Sequence, residues 1–300
     1  MYYNRNLIAA AEHATSITEA SGVFNLQAQA VLKAAGRWPS VFPFTVQYTI
    51  SNTGAAFELR DSGTVNYVVE WGDGSSETVT TNNKSHTYAS SGTYAVKLDT
   101  TGSYRPYYYL DGNEDQITAV LIDASANLGT NLFGAFAGAN NMTSFSCPSS
   151  VTATVTNFQR AFWVCSSLTS FPVIDTSNGT NFERTWRQSG LTSFPSLDFS
   201  SATTFSAAWY NCSSLATIPS GLFNSTGTLA ANAFSAAFAI CALTAQSIEN
   251  ILTSLDTNGA SNISLSLNGG TNAAYSTWST AAQTALTNLT NKGWTVIYNS

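Results

Sequence analysis

Histidine is nearly absent from this chain: His13 and His86 are the two in 300 residues. A Ser-His-Asp triad would have to be built on one of them, and neither stands in a catalytic signature. The sequence also has no GxSxG elbow, no HExxH, no phosphate-binding P-loop and no GxGxxG fingerprint, which removes the common signatures of hydrolases, metalloproteases and nucleotide or dinucleotide enzymes. Cysteine occurs four times, at 147, 165, 212 and 241, and never as a C-x-x-C pair; that spacing argues against a zinc site or a redox pair. Charge is scarce. Asp, Glu, Lys and Arg make up 9% of the residues, where an average soluble protein has ~25%. With 11 basic and 17 acidic residues the net charge is −6, and no stretch clusters cations as phosphate neutralisation requires, so nucleic acid is excluded as an expected partner. Long apolar runs are missing too: none approaches the ~18 residues of a membrane span. Met1 to Ala20 is interrupted by Arg5, Glu12, His13 and Glu19 and lacks the apolar core of a secretory signal, so assembly in the cytoplasm, or release by lysis, is expected. The expectation is a non-enzymatic protein with no catalytic residue, cofactor or metal site.

What fills the gap is Ser, Thr, Asn, Ala and Gly, and they are organised in three segments, so the predicted fold class is multidomain. Residues 1–40 read as an N-terminal helical arm. Ala9 to His13 is Ala-rich, and Asn25 to Ala35 places Leu26, Ala30, Val31 and Ala34 at helical spacing before Gly36 and Pro39 stop it. So short a segment buries too little to fold alone. Val23, Phe24, Leu26, Leu32 and Trp38 are therefore read as docking residues that meet another protein.

Residues 41–103 change to strand patterning. Val65, Tyr67, Val69 and Trp71 alternate with Asn66, Val68, Glu70 and Gly72, and Tyr94, Val96 and Leu98 alternate with Ala95, Lys97 and Asp99, so each run turns one face to a core. Gly72-Asp73-Gly74 supplies a tight turn between them. An antiparallel β-sandwich follows. The blocks Val69-Glu70-Trp71-Gly72-Asp73-Gly74, His86-Thr87-Tyr88 and Gly92-Thr93-Tyr94-Ala95-Val96-Lys97-Leu98 resemble the PKD domain in that order. The resemblance implies an immunoglobulin-like spacer whose turn Trp71, Gly72, Asp73, Gly74 determines the fold. A calcium site on Asp73 would need several more oxygen ligands.

Residues 104–300 form the third segment, and 117–243 within it contain an internal repeat. Aligned on the leucine position, Ile117, Met142, Leu168, Leu191, Leu215 and Leu243 are spaced 25, 26, 23, 24 and 28 apart, within the ~20–29 of leucine-rich repeats. Three units open Leu168 to Pro172, Leu191 to Pro195 and Leu215 to Pro219, each read as a short strand ending at its proline. Phe136, Phe162, Trp186, Trp209 and Phe238 form one predicted interior column. Ala139, Cys165, Ser189, Cys212 and Cys241 form a second, of small residues, in which cysteine is an apolar filler. The pattern resembles the BspA-type leucine-rich repeats of bacterial surface and phage virion proteins, which implies an α/β solenoid. Its expected leading cap is Tyr104 to Asp115, with Tyr107 to Leu110 as first strand. Its helical C-terminal cap runs from Leu243 through strand-like Ile263 to Leu267, a helix from Ser279 to Lys292, and a strand Trp294 to Tyr298.

The opening Ser21 to Gln27 and Gly36 to Pro39 resembles openings of structural proteins of tailed phages. The expected function is thus a virion structural protein at the virion surface, as a fibre, an appendage or a capsid decoration. It would be docked through residues 1–40 to capsid, neck or tail proteins in several symmetric copies and display the outer modules for adhesion to a host-surface glycan or protein. A bacterial surface adhesin is the alternative. A glycan-degrading spike would need two acids ~5–10 Å apart; the acids of the repeat are Asp123, Asp175, Glu183, Asp198, Glu249 and Asp256, and Asp175 and Asp198 share one repeat position. Aromatics off the columns, such as Tyr210 and Tyr275, are the expected exposed candidates for stacking on sugars.

Overall fold

The computed structural model describes residues 46–300 apart from 55, 63–65, 101, 110, 111 and 113. The arm predicted over 1–40, with Val23, Phe24, Leu26, Leu32 and Trp38, lies outside the described residues.

The strand patterning produces the sandwich. In β1 (Val46–Asn52), Val46, Tyr48, Ile50 and Asn52 are buried while their neighbours face out. β2 (Ala56–Leu59), β3 (Tyr67–Glu70), β4 (Ser76–Val79), β5 (Lys84–Thr87) and β6 (Gly92–Thr100) follow. β2 and β5 pair antiparallel as a separate ladder, and β4-β3-β6-β1 are consecutive strands of the main sheet. Between the two, Trp71 stacks on His86 at 4.6 Å, and Tyr88 donates its hydroxyl to the Trp71 carbonyl at 2.9 Å.

The main sheet does not stop at residue 103. β7 (Ile117–Ile122) pairs antiparallel with the other side of β1 and parallel with β8 (Ser144–Ser146), giving six strands in the order β4-β3-β6-β1-β7-β8. Tyr104 and Tyr108 are drawn into the same core: the Tyr104 and Tyr48 hydroxyls lie 3.0 Å apart, and the Tyr108 ring meets Tyr48 edge-on at 5.6 Å. The strand predicted over Tyr107 to Leu110 is absent from the described part, residues 107–109. The neighbouring pairing is one isolated bridge, Asp61 to Pro106, because Pro106 has no N–H with which to extend a ladder.

From residue 131 the chain folds in tiers. The N–H groups of Leu132, Gly134, Phe136 and Gly138 donate to the carbonyls of Asn157, Gln159, Ala161 and Trp163 at 2.7–3.1 Å. The intervening N–H groups of Ala135, Ala137 and Ala139 bond three residues back within their own tier. The same alternation joins the tiers beginning at 157, 181 and 204 to the next. Threonine hydroxyls repeat the register: Thr156 donates to Thr130, Thr180 to Thr156 and Thr203 to Thr180 carbonyls, at separations of 26, 24 and 23 residues. The segments Leu168 to Pro172, Leu191 to Pro195 and Leu215 to Pro219 are not strands. They are joined by short sets of bonds, Thr192 N–H to the Thr169 carbonyl, Ala216 N–H to the Thr192 carbonyl and Phe194 N–H to the Thr217 carbonyl, around the one Ser193 to Thr217 bridge; each proline lacks the donor that would carry the ladder further.

Each tier needs two left-handed residues, four positions apart: Gly134 and Gly138, Arg160 and Val164, Arg184 and Gln188, Ala207 and Asn211, Ala236 and Ile240, with φ between 53° and 94°. A side chain in this region costs ~1–2 kcal/mol, whereas glycine brings a chain-entropy cost of about 0.5–1 kcal/mol. Ala236→Gly is therefore expected to stabilise the protein by roughly 0.5–1 kcal/mol, measured as a higher urea midpoint at unchanged slope.

The interior is aromatic. Trp186 stacks on Trp209 at 5.3 Å and Trp209 on Phe238 at 4.8 Å, while Phe136 and Phe162 stack at 5.4 Å. Two further columns stand beside this one: Phe158, Phe182, Phe205 and Phe234 stack at 5.0–5.5 Å, and Phe171, Phe194 and Phe223 present edges to the first. The end is closed by α2 (Ala245–Asn258), the strand β9 (Ser264–Leu267), α3 (Thr280–Asn291) and β10 (Thr295–Tyr298), which pairs parallel with β9; α1 is the single turn Ser149–Thr152. Thr244 caps α2 through the Ser247 N–H, Ser279 caps α3 through the Ala282 N–H, and Gly259 ends α2 in the left-handed region.

Candidate functional site

The turn at Trp71 to Gly74 is built as a structural corner. Gly72 and Gly74 take φ of 83° and 93°, and a Cβ on Gly72 would lie 2.7 Å from the Ala95 carbonyl oxygen. Asp73 accepts from the Ser75 N–H at 2.9 Å and hydroxyl at 2.6 Å and meets His86 Nε2 at 2.8 Å. Desolvation pushes the Asp73 carboxyl up, but the Ser75 and His86 contacts outweigh it and hold the pKa at about 2. A carboxyl lowered on folding contributes stability above its unfolded value near ~4 and loses it as pH falls towards the folded value. The stability difference between wild type and Asp73→Asn is accordingly expected to shrink as pH falls from about 4 to 2, as urea titrations at several pH values would read.

The repeat acids have the same local task. Asp123, Asp175 and Asp198 each accept from the N–H two residues on, at 2.9, 3.0 and 2.8 Å, forming Asx turns. Glu249 accepts from Ser279, and Asp256 pairs with Lys292 at 2.6 Å. Among the described residues no group of three or more His, Cys, Asp or Glu is placed to hold a metal ion, and no helix is long and apolar enough to cross a membrane.

Leu168, Leu191 and Leu215 and the ring column Phe162, Trp186, Trp209 and Phe238 are all buried. Cys165, Cys212 and Cys241 do more than fill space. Their thiols donate to the carbonyls of Phe136, Trp186 and Trp209, each one tier or more back, at 2.9–3.2 Å. Burial pushes all three thiols up, Cys212 to about 11, so they are poor nucleophiles.

The tiers bring together on one outward face a group that sequence positions alone keep apart. Tyr109 stacks on Phe133 at 5.4 Å and lies 6.0 Å from Trp163. Its place depends on Gly134, where a Cβ would come within 2.9 Å of the Tyr109 ring. The Arg160 guanidinium sits 5.6 Å from the Tyr109 centroid and 5.8 Å from Trp163, and Nη1 donates to the Tyr109 hydroxyl at 2.9 Å. One tier on, Arg187 lies 5.8 Å from Trp163 and 4.7 Å from Tyr210. All five side chains are partly exposed. Of the two predicted exposed aromatics, Tyr210 belongs to this face. Tyr275 instead packs with Trp278 and Tyr298 in the C-terminal cap.

Residues 43–104 match the PKD domain family. That stretch carries a PKD or immunoglobulin-like domain, consistent with its β-sandwich-like region within a mixed sheet. No curated protein and no solved structure gives a significant match to the chain.

Proposed function

We propose that this protein is a non-enzymatic structural component of a tailed-phage virion surface. Residues 1–40 dock it onto a capsid, neck or tail protein in several symmetric copies, and the PKD-like domain and a leucine-rich-repeat solenoid project outward for adhesion to the host surface. The observation that carries this reading is the single sheet running from β4 through β1 and β7 into β8, which mounts the outer region on the PKD-like domain without a flexible joint. Hydrogen bonding between tiers at separations of 23 to 26 residues and a shared aromatic interior support the solenoid of BspA-type repeats, because each tier buries its neighbour and needs caps at the ends.

Adhesion of this kind works through avidity: contacts of millimolar strength gain ~10²–10⁴ when presented together. Beads carrying many copies of the full chain are expected to retain bacterial envelope fragments under conditions where the free chain is washed off. Beads that retain no envelope would remove the recognition half and leave an architectural role.

A further inference from the structure

We infer that the outward face formed by Tyr109, Arg160, Trp163, Arg187 and Tyr210 binds a carboxylate-bearing glycan. The inference rests on the adhesion reading above and gives that adhesion a place and a ligand chemistry.

Charge distribution is the first ground. Between residue 106 and the end the chain has four cations, Arg160, Arg184, Arg187 and Lys292. Three of them stand on two successive tiers of this face; Lys292 is tied to Asp256 in the cap. A cation kept for packing is ordinarily paired. Arg184 is, with Glu183 at 3.2 Å, and the other Glu183 oxygen accepts from Gln159 at 2.9 Å. Arg160 has no carboxylate partner among the described residues, and the Arg187 side chain makes no hydrogen bond or ion pair with any of them. In a chain of net charge −6, the tiers thus present a local positive site whose Arg160 and Arg187 guanidinium donors, apart from Arg160 Nη1 on the Tyr109 hydroxyl, make no hydrogen bond within the described residues.

Geometry is the second ground. Arg160 lies against Tyr109 and Trp163, and Arg187 against Trp163 and Tyr210, so the rings limit the motion of both guanidiniums before any ligand arrives. A planar fork held in this way matches a carboxylate through two parallel hydrogen bonds and loses little entropy on binding. The intervening aromatic faces offer C–H stacking surface to a sugar ring, and Gln188, which accepts from the Trp163 indole at 3.3 Å, adds an amide for hydroxyls. The site has an end: in the tier after Tyr210 the equivalent positions are Ser235, Ala236 and the buried Ala239, with neither charge nor ring. Nucleic acid fits less well, since strand binding needs an extended positive groove and this face carries its cations on two tiers alone.

The test uses the full chain clustered on a biosensor surface, with alginate, a linear polyuronate, as probe and dextran, dextran sulfate and oligodeoxythymidine as comparators. Alginate is expected to bind over the other three and to weaken with salt. Arg160→Gln with Arg187→Gln is expected to lower that binding about tenfold or more, and the double lysine variant to fall in between because charge without the fork remains. Lys84→Gln with Lys97→Gln, the same charge change elsewhere, is expected to leave it unaltered. If the glutamine pair does not fold, Arg187→Gln alone serves, since that side chain makes no hydrogen bond within the protein. Alginate binding no stronger than dextran, tightest binding to oligodeoxythymidine, or equal loss in the Lys84 and Lys97 control would overturn the assignment. Envelope retention by beads that survives the glutamine pair would defeat this site while leaving the adhesion reading standing; beads that retain no envelope defeat the adhesion reading itself.

Discussion

Trp209→Ala is expected to lower the unfolding free energy by about 3–5 kcal/mol, the range for deleting a fully enclosed large aromatic. Trp209 is 0% exposed. Its ring lies between Trp186 at 5.3 Å and Phe238 at 4.8 Å and meets the edges of Phe194 and Phe223 at 5.1 and 6.1 Å. Removing it therefore opens a cavity that touches three tiers at once, and rings stacked on both sides leave little freedom for the walls to collapse. Trp209→Phe should be far milder. Phenylalanine holds this position in the tiers of Phe136, Phe162 and Phe238, and the Trp209 indole N–H is buried without a hydrogen-bond partner, so the smaller ring also removes an unsatisfied donor. Equilibrium urea unfolding checks both; an alanine variant within 1 kcal/mol of wild type would contradict the stacked interior.

Gly190→Ala is expected to destabilise by about 1–3 kcal/mol or more through overpacking against rigid backbone. A Cβ at this position would lie 2.2 Å from the Ser166 carbonyl oxygen and 3.0 Å from its carbon. The Gly190 N–H donates to the Cys165 carbonyl at 3.2 Å, so the residue cannot back away without breaking a bond between tiers. Gly102→Ala is the matched control, because nothing lies within 4 Å of its Cβ position; it is expected to be neutral or slightly stabilising. Equal effects at the two sites in thermal melts would show that the close approach of the tiers is not real.

Gly190 also shows how far the sequence could be read. Its tier closes with Ser189-Gly190-Leu191, where the neighbours have Cys165-Ser166-Ser167-Leu168 and Cys212-Ser213-Ser214-Leu215. In sequence this is a departure from the pattern; in space it is a link shortened by one residue that only a side chain of no size can make. The sandwich strands were legible because alternation and turn glycines are local signals. The junction between β1 and β7 was not, because it pairs Tyr48 with Val120 across a separation no periodicity records. Leucines and prolines at a regular interval revealed the period but suggested strands over Leu168 to Pro172, Leu191 to Pro195 and Leu215 to Pro219, where the chain forms none; they said nothing of the turns elsewhere in each tier, which rest on left-handed residues such as Arg160, Val164, Arg184 and Ile240. Those residue types give no warning; Gly134, Gly138 and Asn211 in the equivalent positions were the available signal. The outward face was hidden for a related reason. Arg160, Trp163, Arg187 and Tyr210 become neighbours only when the register between tiers is known, and that register is set by backbone hydrogen bonds, not by the side chains themselves.

The most direct test of the account is to locate the protein on particles purified from its source by electron microscopy, comparing the full chain with one lacking residues 1–40. The account predicts full-length protein at regular, symmetry-related positions on the particle and truncated protein free in solution. Protein absent from particles and found on a bacterial envelope would contradict it and favour the surface adhesin.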